Sequence, residues 1–332
     1  AGKVGIGIVG SKFAGELHAT AYSRCADAEM VAACSNRPDE LEEFTSRFGI
    51  RKSYLDYREL VNDPEVDIVS ICVPNFLHYD VAMAACEAGK HVVCEKPLAT
   101  TIEHAREMVE AFEKKGLKLM YAEDWNFAPA LVRAKQIIDE GAIGRILYIR
   151  AKESHNGSHS PFAQTLEYCG GGALLHLGCH PAAFIRYITG QEVVEVVASV
   201  TEGFEKNLVH HNLEGEDFGV ALLRLADGTR AVIEGNYVTV GGMDDCVEIY
   251  GTEGVIKVDL TFGSPISVYS SVGYSYVLEK ADLSTGWTKP AVDEFYSLGY
   301  ETELAEFVRC VKEDLPVPEG ARGRDGLMTL AI

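Results

Sequence analysis

The sequence predicts a two-domain protein: an α/β domain with a parallel, doubly wound sheet over residues 1–122, then an α+β domain with a large, mostly antiparallel open sheet over residues 123–332. In the first part, continuous apolar runs alternate with helical patterns, which indicates parallel strands buried on both faces. In the second part, short strands are separated by Gly and Asp turns, which is typical of an antiparallel sheet. At 332 residues with 47% apolar content, the chain is long enough for two hydrophobic cores.

The elements of the first domain alternate regularly. An apolar run at 3–9 ends at Gly10, and helical spacing starts at Phe13. Each later apolar run is followed by a helical stretch. The predicted strands are 3–9, 30–34, 67–73, 91–94 and 118–121, and the predicted helices are 13–26, 38–48, 77–89 and 101–115.

The pattern changes in the second domain. We expect a helix at 130–140, a strand at 146–153 and a helix around 173–189. A run of strands follows from 193 to about 279. A last helix at 301–313 is expected to pack back on the first domain. Because the antiparallel sheet leaves one face free, we expect a homodimer or homotetramer formed through that face.

Composition and charge exclude several classes of partner. The formal charge of −20, with no basic stripe, argues against a nucleic acid partner. No run approaches the ~18 apolar residues that a membrane span needs, and the N-terminus lacks the pattern of a signal peptide. The nine cysteines form no CxxC pair, as in a reduced cytosolic protein. We therefore expect a cytoplasmic protein whose partner is a small molecule.

The first turn carries a glycine pattern that suggests a dinucleotide-binding Rossmann domain. Gly5–Gly10 matches GxGxxG, but those glycines lie within the strand and cannot cradle a pyrophosphate. The turn in the right place is Gly10-Ser-Lys-Phe-Ala-Gly15, where Lys12 replaces the middle glycine. An ordinary strand–helix turn remains the alternative. The candidate phosphate contacts at the helix N-terminus are Gly10, Lys12, Phe13 and Ala14.

The end of the second strand is where an acid usually holds the ribose hydroxyls of NAD. Here the sequence is Cys34-Ser-Asn-Arg37, so no acid excludes a 2′-phosphate, and Arg37 could bind one. We take Ser35, Asn36 and Arg37 as cofactor contacts, and predict NAD(H) or NADP(H) with the form undecided. A solvated turn arginine is the alternative for Arg37.

Two later strand ends carry the strongest local signal. They are Val73-Pro-Asn-Phe-Leu-His78 and Ala88-Gly-Lys-His-Val-Val-Cys-Glu-Lys-Pro97. Three more motifs follow in order: Gly170-Gly-Gly-Ala-Leu-Leu-His-Leu-Gly-Cys-His180, Glu303-Leu-Ala-Glu-Phe307 and Asp325-Gly-Leu327. With the opening turn, this series resembles the glucose-fructose oxidoreductase / inositol dehydrogenase / rhizopine-catabolism (Gfo/Idh/MocA) family over essentially the whole chain.

The resemblance implies an NAD(P)-dependent oxidoreductase that moves hydride between nicotinamide and a secondary alcohol or ketone of a sugar, glycoside or polyol. It also implies that Lys96 lies beside the nicotinamide and the reacting oxygen, where a cation stabilises a developing alkoxide. Glu95 and Pro97 then fix the loop that presents Lys96. The remaining cofactor contacts in this region are Pro74, Asn75, His78 and Glu95.

In the same family, His180 corresponds to the usual general acid/base. A histidine titrates near neutral pH and can take the hydroxyl proton as hydride leaves carbon. The position that is commonly Asp, one helical turn earlier, is His176 here. We count His176 with Lys96 and His180 as catalytic candidates and expect it to hydrogen-bond the substrate. A core-lining histidine is the alternative.

Two further segments are candidate substrate contacts. Glu123-Asp-Trp-Asn-Phe-Ala-Pro129 departs from relatives that carry Asn and Arg at the positions of Asp124 and Asn126. The loop from Lys152 to His159 is rich in hydrogen-bonding groups that suit a hydroxylated ligand, although a merely solvated loop is the alternative. The predicted substrate contacts are Lys96, Asp124, Trp125, His155, His159, His176 and His180.

Three other interpretations stay open. The four histidines of the second domain named above, with Cys169 nearby, could hold zinc, although we predict no metal site. The same site could keep its cofactor bound, so that oxidation and reduction both occur within one catalytic cycle. Such an enzyme would cleave a glycoside or exchange hydride between two sugars. A nicotinamide redox sensor without turnover is the non-enzymatic alternative. Lys12 and His176 motivate it, whereas the retention of Lys96 and His180 argues against it.

Overall fold

The computed structural model describes residues 2–158, 160–261, 263–264, 266–274, 285–290 and 292–332. The chain divides into two compact units. The first unit comprises Ala1–Phe127 and Gly299–Ala331, and the second comprises Ala128–Leu298. A segment near the end of the chain therefore belongs to the same unit as the N-terminal strands.

The first unit is built on a six-stranded parallel sheet with the order β3-β2-β1-β4-β5-β6. Its strands are β1 (Val4–Val9), β2 (Ala28–Cys34), β3 (Lys52–Tyr54), β4 (Ile68–Ile71), β5 (His91–Cys94) and β6 (Leu119–Tyr121). The helices between them are α1 (Phe13–Arg24), α2 (Pro38–Phe48), α3 (Tyr57–Val61), α4 (His78–Glu87) and α5 (Ile102–Lys115).

The glycines inside β1 serve strand packing. A Cβ at Gly5 would lie 1.8 Å from the carbonyl oxygen of Glu65, and one at Gly7 would lie 2.7 Å from Leu60 Cδ2. Glycine at both positions lets β1 lie against the segment that leads into β4. The GxGxxG match within the strand is therefore explained by packing.

The second unit is built on a six-stranded sheet with the order β12-β11-β7-β10-β9-β8, in which only the β7–β10 pair is parallel. Its helices are α6 (Pro129–Asp139), α7 (Leu166–Cys169), α8 (Ala173–His176), α9 (Cys179–Thr189) and α10 (Glu294–Leu298). Its strands are β7 (Ile146–Ser154), β8 (Val193–Val200), β9 (Phe218–Leu225), β10 (Arg230–Asn236), β11 (Cys246–Gly251) and β12 (Val255–Asp259), with a separate antiparallel pair of β13 (Val268–Ser270) and β14 (Gly286–Thr288).

Two closing helices, α11 (Tyr300–Lys312) and α12 (Gly323–Leu330), belong to the first unit. Leu304 and Phe307 of α11 are completely buried, in one cluster with Ile6 and Ile8 of β1 and Tyr22 of α1. The core of the first unit is therefore completed by a helix from the far end of the chain.

The structure confirms the predicted fold class, a parallel doubly wound sheet followed by a mostly antiparallel one. The prediction of one helix around 173–189 is wrong, because α8 and α9 are separate helices. A Cβ at Gly235 of β10 would lie 2.7 Å from the backbone nitrogen of Gly178 and 2.8 Å from the carbonyl oxygen of Ala173. The strand therefore runs directly against the junction of the two helices.

No helix within the described parts of the chain has both the length and the apolar character that a bilayer span requires.

Candidate active site

Five strand ends meet at one edge of the first sheet. Because β1, β2, β4, β5 and β6 are parallel, the segments that follow them all begin at the carboxyl edge. The strand order reverses between β1 and β4, and ligands of doubly wound sheets bind at the carboxyl end of such a pair. The glycine turn follows β1, and Glu95 and Lys96 follow β5.

The glycine turn has contacts too close for any other residue. Gly10 has a φ of 112°, and a Cβ there would lie 2.2 Å from the carbonyl oxygen of Cys72. A Cβ at Gly15 would lie 2.1 Å from the carbonyl oxygen of Gly10. Glycine at both positions lets α1 begin directly against the strand ends, as a pyrophosphate site requires. The other predicted phosphate contacts, Lys12, Phe13 and Ala14, lie at the start of α1.

Two cations and one acid lie at the end of β2. Glu40 Oε1 is 2.7 Å from Lys12 Nζ and 3.3 Å from Arg37 Nη1. The hydrogen bond from Lys12, together with the charge of Arg37, lowers the pKa of Glu40. Ser35 Oγ accepts a hydrogen bond from the backbone nitrogen of Arg37 at 3.3 Å, and Asn36 is exposed. The predicted ribose contacts are thus accompanied by an acid, Glu40, that the sequence analysis missed.

The segment after β4 is braced by a buried histidine. Pro74 and Asn75 begin a short turn, and His78 follows it, completely buried, at the start of α4. His78 Nδ1 lies 2.8 Å from the carbonyl oxygen of Pro97, and Nε2 lies 3.0 Å from that of Val73. Burial lowers the pKa of His78, so the ring is neutral at pH 7 and carries one proton. A proton on Nδ1 donates to Pro97 and joins the segments after β4 and β5, whereas a proton on Nε2 donates to Val73 within the segment after β4.

A second buried histidine contacts the acid that precedes Lys96. His18 of α1 has Nε2 2.8 Å from Glu95 Oε1 and Nδ1 2.6 Å from Ser70 Oγ. Glu95 Oε2 accepts a hydrogen bond from the backbone nitrogen of Lys96 at 3.2 Å. Burial would raise the pKa of Glu95, but His18 and Lys96 lower it, so Glu95 is a carboxylate. His18 was not predicted as a site residue, because its one local signal is that of a polar residue on the buried face of a helix.

Two more acids of the first unit are completely buried. Burial raises the pKa of Glu123, which follows β6, well above its usual value, and Lys96 offsets part of this effect. Burial and Asp124 likewise raise the pKa of Glu303 on α11 well above its usual value. Burial therefore favours the protonated form of both groups. Asp124 and Trp125, the predicted substrate contacts, lie buried in the turn after Glu123.

In the second unit, three histidines surround Tyr237. The ring of His155, at the end of β7, stacks on Tyr237 with centroids 5.3 Å apart. His176 Nδ1 lies 3.0 Å from the tyrosine hydroxyl, and His210 Nε2 lies 2.8 Å from its carbonyl oxygen. The structure thus brings together the predicted contacts His155 and His176. Neither Tyr237 nor His210 has a local sequence signal that would have identified it.

His180 lies at the start of α9 and faces an acid of the neighbouring strand. Its Nε2 is 3.6 Å from Glu153 Oε2 of β7, and both side chains are buried. This separation is longer than a hydrogen bond but suits an ion pair once the ring is protonated. Glu153 falls within the segment from Lys152 to His159, but no role was predicted for it.

Two further acids, also missed, fix the backbone around these histidines. The Glu216 carboxylate accepts a hydrogen bond from the backbone nitrogen of Leu174 at 2.9 Å and so caps α8. Asp217 is completely buried and accepts hydrogen bonds from the backbone nitrogens of Val209 and His210 at 2.7 and 3.0 Å. Burial would raise the pKa of Asp217, but these backbone donors outweigh burial, so the pKa is lowered. The loop that carries His210 is therefore held by a carboxylate.

The residues considered as zinc ligands do not assemble into a cluster. Among the described residues, His155, His176, His180 and Cys169 form no group of three ligand atoms close enough to share an ion. His159, which was predicted as a substrate contact, lies outside the described residues.

Comparison with known proteins covers both parts of the chain. Residues 4–123 match a family described as an oxidoreductase family with an NAD-binding Rossmann fold, and residues 131–257 match the Gfo/Idh/MocA C-terminal domain. The chain belongs to the Gfo/Idh/MocA family. This Gfo/Idh/MocA protein is therefore an oxidoreductase that uses a nicotinamide cofactor, which confirms the resemblance that its motifs indicated.

Named relatives match most of the chain. It is 32% identical to the levoglucosan dehydrogenase of Pseudarthrobacter phenanthrenivorans over 289 residues, 76% of this chain and 72% of that protein. It is also 32% identical to the 1,5-anhydro-D-fructose reductase of Ensifer adhaerens over 330 residues, 98% of this chain and 92% of that protein. Among solved structures, GenD2 from gentamicin A biosynthesis in complex with NAD has a TM-score of 0.92 at 25% identity, covering 100% of this chain and 92% of GenD2.

Proposed function

We propose that this Gfo/Idh/MocA enzyme moves hydride between NAD(P) and a carbon that bears a hydroxyl or keto group in a sugar, glycoside or polyol. The names of its relatives, levoglucosan dehydrogenase and 1,5-anhydro-D-fructose reductase, support this substrate class. The observation that carries the proposal is the position of Lys96, which follows β5 at the same sheet edge as the glycine turn. Its backbone nitrogen donates a hydrogen bond to the side-chain carboxylate of Glu95.

The residues of the first unit fit a dinucleotide. The turn at Gly10 and Gly15 has room only for glycine, so backbone amides at the start of α1 can approach a pyrophosphate, whose charge Lys12 would neutralise. When bound, the nicotinamide ring supplies the hydride acceptor or donor. The residues assigned to the rest of the cofactor are Ser35, Asn36, Arg37, Pro74 and Asn75.

Lys96 supplies the positive charge at the reacting oxygen. As the substrate hydroxyl loses its proton, negative charge develops on that oxygen, and the ammonium of Lys96 stabilises it. In the reverse direction, the same ammonium donates a hydrogen bond to the carbonyl oxygen. The buried carboxylate of Glu95 fixes the backbone from which Lys96 projects.

His180 holds the proton that the hydroxyl releases. A neutral imidazole accepts it at a ring nitrogen, and the Glu153 carboxylate near Nε2 stabilises the resulting imidazolium. His176 supplies a hydrogen bond to a substrate hydroxyl, with its ring oriented by the Tyr237 hydroxyl at Nδ1. A histidine where relatives commonly carry Asp means that this position supplies no carboxylate charge.

The first experiment is an absorbance measurement at ~340 nm, the reduced-nicotinamide band. The purified protein is given NAD or NADP with levoglucosan, inositols, pyranoses and glycosides in turn, and NADH or NADPH with 1,5-anhydro-D-fructose. We expect one pairing to change the absorbance, and Lys96→Met to lower its kcat by about 10²–10³-fold because the oxyanion loses its cation. Lys114→Met, at an exposed lysine of α5, is the matched control. Near-normal turnover by the Lys96→Met protein contradicts the assignment.

Assembly and location complete the proposal. We propose a homodimer or homotetramer formed through the open face of the second sheet, where Val197 of β8 and Leu222 of β9 lie opposite each other, 61% and 46% exposed. We also propose a cytoplasmic location, which the nine free cysteines support because a reducing compartment keeps thiols unpaired.

A further inference from the structure

A largely buried polar network links α1 to the segment that carries Lys96. His18 has no exposed surface, and its two ring nitrogens contact Ser70 of β4 and Glu95 after β5. The Tyr22 hydroxyl lies 3.1 Å from Ser70 Oγ on the same network. Polar side chains are rarely placed in a core without a reason, because each must be fully hydrogen-bonded there.

The central pair of this network is charged. Burial alone would lower the pKa of His18, but the hydrogen bond and the negative charge of the Glu95 carboxylate beside the ring raise it. Both ring nitrogens then carry protons at neutral pH, so that Nδ1 donates to Ser70 Oγ and Nε2 donates to Glu95 Oε1. The other oxygen of Glu95 accepts the backbone N–H of Lys96. One continuous chain of hydrogen bonds therefore runs from α1 to Lys96.

We propose that His18 is a positioning residue: its imidazolium keeps Glu95 ionised and oriented, and Glu95 in turn fixes the backbone from which the Lys96 ammonium reaches the substrate oxygen. The proposal rests on the proposed function of Lys96. His18 itself touches neither substrate nor cofactor in this scheme, because its ring is enclosed by the core.

Two cations, His18 and Lys96, lower the pKa of Glu95. The other titratable groups that face His18 or Glu95 are Tyr22 on α1, Cys72 and His78 after β4, Cys94 of β5, Lys96 after β5, Glu123 after β6 and Glu303 on α11. Burial raises the pKa of Tyr22 and of Cys72, so both are neutral, and burial favours the protonated form of Glu123 and Glu303. Without His18, the buried carboxylate of Glu95 retains Lys96 as its cation among the described residues. Glu95 then takes up a proton more readily.

The direct test reads the Lys96 amide signal by NMR, in ligand-free protein labelled with ¹⁵N-lysine. The signal is assigned by its loss in Lys96→Arg. In the wild type it is expected to stay constant between about pH 5.5 and 8, because Glu95 remains ionised. In His18→Gln it is expected to titrate within that range as Glu95 becomes protonated. His104→Gln, at another histidine of the first unit, should leave the signal constant.

A second variant keeps the test decisive if His18→Gln fails to fold. In Glu95→Gln, ¹⁵N-histidine spectra are expected to show the His18 ring losing its charge within the same pH range, whereas the wild-type ring stays an imidazolium. A Lys96 amide that stays constant in folded His18→Gln overturns the proposal. So does a His18 ring that is already neutral at pH 7 in the wild type.

The kinetic test uses the substrate that the absorbance panel identifies. His18→Gln is expected to lower kcat about tenfold with KM within about twofold, and the ratio of mutant to wild-type kcat should fall further as the pH is lowered. In a Glu95→Gln background, His18→Gln should have no further effect, since it acts through that carboxylate. Equal losses in both backgrounds would leave His18 a purely structural role. Failure of the proposed function appears separately, as turnover by Lys96→Met, and leaves the NMR result unchanged.

Discussion

At the scale of single residues, the contacts of Glu40 bear on the choice between NAD and NADP. Lys12 and Arg37 both lie within ion-pair distance of this one carboxylate, at the strand end assigned to the adenosine ribose. A 2′-phosphate adds about two negative charges, which Lys12 and Arg37 attract and Glu40 repels. Glu40 therefore disfavours NADP relative to NAD, whereas the two cations favour it.

Replacing Glu40 should shift the cofactor preference. We expect Glu40→Gln to increase the affinity for NADPH relative to NADH by about tenfold, because one repelling charge is removed and two cations are released. Fluorescence titration of each reduced cofactor measures both affinities. Glu43→Gln, on the same helix, is the matched control. An unchanged ratio of the two affinities in Glu40→Gln would place the 2′ position away from this cluster.

Local sequence patterns identify some of these residues and miss others for a physical reason. The glycine turn and Lys96 are each part of a short motif whose spacing carries the chemistry. His18 and Tyr237 act through partners far away in sequence: His18 contacts Glu95 across 77 positions, and Tyr237 contacts His176 across 61. Such pairs are created by the fold, so no local pattern reveals them.

At the scale of elements, helix α11 buries an acid in the core of the first unit. Glu303 precedes Leu304 and lies in the same part of the helix as the buried Phe307. Because the pKa of Glu303 is raised in the folded protein, its contribution to the free energy of unfolding is most favourable below the usual pKa of a glutamate. That contribution is lost as the pH rises. The acid therefore weakens the fold increasingly above that range.

Removing this ionisable group should stabilise the protein at alkaline pH. We expect Glu303→Gln to raise the Tm by about 2–4 °C at pH 8, with little gain near pH 5. The reason is that an amide does not ionise, so no proton has to be taken up at this position when the chain folds at pH 8. Thermal melts of both proteins across this range provide the measurement. Glu301→Gln, at the partly exposed acid two positions earlier, should show no such pH-dependent gain. A loss of stability at pH 8 would mean that Glu303 is ionised or essential to packing.

The predictability of each element follows its length and regularity. Helix α2 begins and ends at the predicted residues, since its apolar and charged positions repeat with a clear helical period. Short elements such as β3 and α3 were not predicted, because three to five residues carry too little periodicity. The division between α8 and α9 depends on the close approach of β10 at Gly235, a contact that the helical sequence does not contain.

At the scale of the whole molecule, the second sheet exposes apolar side chains on an open face. Val197 and Leu222 are paired in register there, and both keep large exposed surfaces. A charge introduced at such a pair would be buried without a partner in an oligomer. We expect Val197→Glu to shift the protein to a smaller species in size-exclusion chromatography with light scattering. Val240→Glu, at a residue 80% exposed in a loop of the same unit, is the control. A wild-type monomer would contradict the assembly.

The division of the first unit between both ends of the chain has a consequence for biosynthesis. Ile6 and Ile8 are translated before the second unit, but Leu304 and Phe307, which share their core, are translated only after the entire second unit. A nascent chain that ends at Phe127 therefore exposes apolar surface that α11 would cover, and such surface promotes aggregation. The core of the first unit can be completed only after the second unit has been synthesised, which makes residues 1–127 a poor candidate for expression as an isolated fragment.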